Sequence, residues 1–83
     1  MAPTKLTFHN QIKMRVQAQI FLGRTLISTY LASPGEVCVL QADSSRYDIF
    51  FKNGATGYEL ARKLNNEADS LTLSLQNGRY ILT

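Results

Sequence analysis

From Ile12 to Leu22 the chain alternates with a strict two-residue period. Ile12, Met14, Val16, Ala18, Ile20 and Leu22 fall on one side; Lys13, Arg15, Gln17 and Gln19 fall on the other, joined by Phe21. A helix would spread both sets around its circumference, whereas a strand separates them onto two faces. The segment therefore reads as one long, half-buried strand whose solvent face carries two cations and two amides.

Strand signals continue on both sides of it. Thr4 to Phe8 reads as a short strand or an arm leading in. Gly23-Arg24 reads as a tight turn or a bulge before a second strand, Leu26 to Leu31. Ser33-Pro34-Gly35 has the residues of a type II turn. Val37 to Leu40 is apolar on both faces, as a central strand would be. Asp43-Ser44-Ser45 marks a turn into Tyr47 to Lys52, where Tyr47, Ile49 and Phe51 alternate with Asp48, Phe50 and Lys52. Leu71, Leu73 and Leu75 alternate again, and Asn77-Gly78 is a type I′ hairpin signal before a last strand, Arg79 to Leu82.

Residues 56–68 carry the only helical pattern. Thr56 and Glu59 have capping-box spacing. Leu60, Ala61, Leu64 and Ala68 fall on one stripe, with Arg62, Lys63 and Glu67 elsewhere. Several strands, one helix over about 56–68 packed on them and a terminal β-hairpin make an α+β class with a small antiparallel or mixed sheet. Two architectures share that order: a β-grasp-like fold and a small OB-like barrel. Without linker or repeat, residues 1–83 read as a single domain.

Charge is unevenly spread. The net charge is +3, yet no acidic residue precedes Glu36, while Lys5, Lys13, Arg15 and Arg24 all do. Such an asymmetry marks a surface for an anionic partner or merely keeps strand faces soluble. No stretch is long and apolar enough for a membrane span, and the start lacks an apolar signal segment. With a single cysteine, Cys38, the expectation is a cytoplasmic protein with no membrane partner.

The chemistry-bearing residues are sparse. His9 and Cys38 are single instances of their types, too few for the usual zinc site. Cys38 lies among Val37, Val39 and Leu40, where a thiol behaves as a small hydrophobe. Gly54-Ala55-Thr56-Gly57 is the nearest approach to an anion cradle, but it lacks the P-loop lysine and spacing. Of Phe50 and Phe51, only one can face the core.

No catalytic set, cofactor site or metal site is visible. The sequence points to a non-enzymatic protein-binding module, an accessory, regulatory or inhibitory subunit using a sheet face or edge. Its expected edges are the long alternating strand and Arg79 to Leu82, and homodimerisation by strand pairing is one outcome. The second reading is a nucleic-acid-binding domain using Lys13, Arg15, Gln17, Gln19, Phe21 and Arg24, with cations tracking phosphates and an aromatic ring stacking on bases.

Overall fold

The computed structural model describes residues 4–83. Its elements are β1 (Lys5–Asn10), β2 (Val16–Leu22), β3 (Thr25–Ala32), β4 (Val37–Gln41), β5 (Tyr47–Asn53), β6 (Glu59–Asn66), β7 (Ser70–Gln76) and β8 (Arg79–Leu82). They form two four-stranded sheets, in the orders β4-β1-β7-β8 and β3-β2-β5-β6. Neighbours pair antiparallel except β1 and β7, which run parallel. The two sheets enclose one hydrophobic core, so the fold is a β-sandwich.

Two-residue alternation builds that core. Leu6 and Phe8 of β1, Cys38 and Leu40 of β4, and Leu71 and Leu73 of β7 point inward from the first sheet. Val16, Ala18 and Ile20 of β2 meet them with Tyr47, Ile49 and Phe51 of β5. Each fully buried Leu, Ile or Phe contributes about 1.5–3 kcal/mol. A one-residue slip would turn every one of them to solvent, which fixes the register.

The α+β expectation is overturned: among the described residues there is no helix, and neither a β-grasp nor an OB-like barrel is formed. Residues 56–68 instead finish a turn and become β6, paired to β5. Gly57 sits at φ +78 and Asn65 at φ +53, both incompatible with a continuous helix. Thr56 receives the Tyr58 amide in a local turn, and Glu59 binds Arg62 rather than closing a capping box. Two register shifts in the β5–β6 pairing explain the misleading pattern. Each bulge interrupts the two-residue period, so Leu60, Ala61 and Leu64 fall by accident at helical spacing. Leu60 and Ala61 are half-buried against the core, whereas Leu64 and Ala68 are exposed.

Three smaller expectations also change. The alternating strand starts at Val16, because residues 11–15 form a bent loop. It lies between β3 and β5, so it is not a sheet edge. Conversely, Val37–Gln41 is not central: β4 is the edge of its sheet, with Val37 and Val39 more than half exposed.

The turns follow their chemistry. Gly35 takes φ +78 while the Glu36 amide donates to the Ser33 carbonyl, closing the turn that Pro34 begins. Asn77 and Gly78 both have positive φ between β7 and β8. Buried Asn10 ties the two loops flanking it in space: its side-chain nitrogen lies 2.9 Å from the Met14 carbonyl and 3.1 Å from that of Ser33. Buried Asn66 binds the Tyr47 hydroxyl and closes the β6–β7 connection.

Candidate functional site

The strand directions sort the loops to opposite ends of the sandwich. Residues 11–15, 33–36, 54–58 and 77–78 gather at one end; residues 23–24, 42–46 and 67–69 gather at the other. Lys13 and Arg15 therefore stand at the first end, in the β1–β2 loop, and Arg24 at the second. Six residue steps of β2 put about 20 Å between those ends. The basic stripe expected from the sequence is split.

What β2 does present outward is Gln17, Gln19 and Phe21. Pairing brings them beside Lys52, Phe50 and Asp48 of β5, respectively. Phe21 and Phe50 meet edge to face, with centroids 5.5 Å apart. The Arg62 guanidinium lies 5.1 Å above the Phe50 ring, a favourable cation–π contact. The two rings sit in a shallow depression of about 300 Å³, lined also by Gly23, Arg24, Asp48, Lys52 and Glu59. Glu59 is neutralised by Arg62 at 2.8 Å, and one Asp48 oxygen accepts the Asn65 amide at 2.9 Å. Among the described residues, Arg24 and Lys52 have no carboxylate within ion-pair distance. The side-chain oxygen of Gln19 is buried without a hydrogen-bond partner among the described residues.

Of the residues singled out in the sequence, Phe21 and Arg24 thus line this depression, Gln17 and Gln19 share its face, and Lys13 and Arg15 lie apart. Sequence reasoning missed Asp48, Lys52, Glu59 and Arg62. The first two were legible from their parity with Phe50 on β5; the last two were hidden by the helical reading.

A second surface is the flank formed by edge strands β3 and β4, which approach each other beside the core. Eight residues of β3 and five of β4 include no charged side chain. Five of the eight large hydrophobics exposed among the described residues lie there: Leu26, Tyr30, Leu31, Val37 and Val39. Backbone alternation shows which groups face outward. The Ala42 amide donates to the Thr4 carbonyl, and Asn10 exchanges bonds with residues 35 and 36. In the register Phe8↔Cys38 and Leu6↔Leu40, Cys38 and Leu40 therefore turn their backbone polar groups toward β1. Val37, Val39 and Gln41 turn theirs away. Only the Gln41 carbonyl gains a side-chain partner, the Ser28 hydroxyl. Tyr30 bridges the same flank by donating its hydroxyl to Glu36, whose carboxylate also accepts the Ser33 amide.

The opposite flank is built differently. β6 carries Glu59, Arg62 and Lys63 and two bulges, while β8 has four residues and begins with Arg79. These are the usual protections of an exposed edge.

The remaining sequence candidates resolve geometrically. Burial pushes the Cys38 thiol up to about 11, so it is protonated at neutral pH. His9 pairs with Val37 on the outer face of the sheet, the face opposite the inward Cys38, and its ring contacts Gln11. The 54–58 loop offers no anion cradle. Its amides are taken by the Arg15 carbonyl, by the Asn53 side chain and carbonyl, and by the Thr56 hydroxyl. Gly54 packs closely there: a Cβ would meet a Leu31 methyl at 2.7 Å and the Arg15 Cβ at 3.0 Å, so a larger residue would have to displace the Leu31 side chain. Among the described residues no cluster of three or more His, Cys, Asp or Glu could hold a metal ion. Nor, among the described residues, is any helix long and apolar enough to cross a membrane.

Comparison of the chain with protein-family models, with curated proteins and with solved structures returns no match.

Proposed function

We propose that this β-sandwich is a protein-binding module that recruits an extended, uncharged segment of a partner along β4 by strand addition. The observation that carries the reading is the asymmetry of its edges. One flank is guarded by charge, bulges and brevity, while the β3/β4 flank exposes apolar side chains beside outward backbone groups. A strand laid along β4 would pair with Val37 and Val39, main-chain bonds giving affinity. Alternate partner side chains would pack against the exposed faces of Val37 and Val39, giving selectivity.

Val39→Pro is the discriminating variant. It deletes a donor that points away from β1, and proline is tolerated on an edge strand whose N–H faces solvent. Affinity capture with wild-type and Val39→Pro baits, followed by titration of the captured protein in purified form, tests the reading. A partner held by the wild type and bound at least about tenfold more weakly by folded Val39→Pro supports it. Equal affinity of both baits, or no partner for either, overturns it.

A further inference from the structure

We infer that the depression around Phe21 and Phe50 is a second binding site, for single-stranded nucleic acid. It lies on the outer face of β2, β5 and β6, apart from the β3/β4 flank, and stands independently of the strand-addition reading.

Three observations converge. First, Phe21 and Phe50 are only half-buried although their strands are central, so the fold leaves aromatic ring surface open on a sheet face. Their edge-to-face contact and the Arg62 guanidinium hold the Phe50 ring in place. Base stacking on such rings is tolerant of sequence and unavailable to a base inside a duplex.

Second, the local charge favours an anion. Glu59 is cancelled by Arg62, leaving two cations, Arg24 and Lys52, on opposite sides of the rings against one carboxylate, Asp48, which accepts a backbone amide. Third, the site is elongated. Lys52 is four residues along β5 from Asp48, about 13 Å, and Arg24 lies beyond Phe21 at the other end. A flexible strand can place phosphates at both cations while its bases lie over Phe21 and Phe50. The second Asp48 oxygen is free to accept a hydrogen bond from a base N–H.

The test is anisotropy of a labelled single-stranded oligonucleotide between about 50 and 200 mM salt, where phosphate contacts weaken steeply. Duplex and mononucleotide competitors are run in parallel. Expected is salt-sensitive binding of the single strand, weak competition by duplex, and at least about tenfold loss in both Phe50→Ala and Arg24→Glu/Lys52→Glu. The Lys5→Glu/Arg79→Glu protein, altered by the same charge on the other sheet, is expected within about threefold of wild type. Competition by mononucleotide equal to that of the strand would replace the strand by a free nucleotide as the ligand. Absence of binding at the lowest salt, equal binding of duplex, or equal loss in the Lys5/Arg79 variant would overturn the site.

Discussion

Phe8 and Phe51 stack across the space between the two sheets, with ring centroids 4.6 Å apart and neither exposed to solvent. The next residue along, Phe50, points out of the same strand toward Phe21 and Arg62. Adjacent residues of one type thus do two different jobs, one inside and one outside. Truncating Phe51 to Ala leaves a cavity at the centre of the core and is expected to cost about 3–5 kcal/mol. Phe50→Ala forfeits a half-buried ring and its surface ring pair and should cost less, about 1–3 kcal/mol. Urea unfolding of the two variants checks this; the larger loss in Phe50→Ala would mean that β5 presents the opposite face to the core.

Asn10 makes its own prediction. Its amide nitrogen also lies 3.3 Å from the Ala32 carbonyl, and its side-chain oxygen accepts the Ile12 amide. Asn10→Ala would leave buried groups of two loops unpaired, at about 1–3 kcal/mol. Asn10→Asp should be worse at neutral pH, because it removes the donor and buries a charge among carbonyls, and should recover as the carboxyl is protonated. A thermal unfolding series across pH reads both effects, and an unchanged melting temperature in Asn10→Ala would contradict them.

Much of this was legible beforehand, for a definite reason. Where alternation was unbroken, as in Val16 to Leu22, Tyr47 to Lys52 and Leu71 to Leu75, the strand could be read directly, although a phenylalanine on each face left open which of Phe50 and Phe51 is buried. Turn residues suited to special backbone angles, with Pro34 fixing φ and Gly35, Asn77 and Gly78 accepting positive φ, located the reversals. Residues 59–66 failed because bulges broke the period, and pairing with β5 outweighed local helical preference. Val37 to Leu40 failed because two exposed valines resemble two buried ones in sequence. The site suffered from the same two failures: the misread β6 concealed Arg62 and Glu59, and the misread β4 concealed the open edge. Lys13 and Arg15 misled because the alternation runs past the strand's true start into the loop.

The β3–β4 corner has a pH signature with two limbs. Hydrogen bonds from the Tyr30 hydroxyl, then from the Ser33 amide, hold the Glu36 carboxyl below its ordinary range. Its contribution is present above the unfolded carboxyl pKa and is lost as pH falls through the folded value. Tyr30 is the mirror case, raised above the ordinary tyrosine range chiefly by its bond to Glu36 and then by that residue's charge. Its contribution is complete below the unfolded tyrosine pKa and is lost as pH rises through the folded one. Both groups are solvent-exposed, so screening keeps the effect local rather than global. The Ser33 amide and the Tyr30 ring, followed by NMR, should therefore report an acid transition below about 4.3 and an alkaline one above about 10. Tyr30→Phe should move the acid transition upward; no movement would remove the bond to Glu36 from the account.

Residue-resolved amide hydrogen exchange on the dilute, isolated protein bears most directly on the open edge. The account requires Cys38 and Leu40 to be protected by β1, and Tyr30 and Ala32 by β2. Val37, Val39, Gln41, Thr29 and Leu31 should exchange fast, giving an alternating pattern along both strands. Uniform protection along β4 would show that its outward groups are already paired, and would leave no free edge for a partner strand to join.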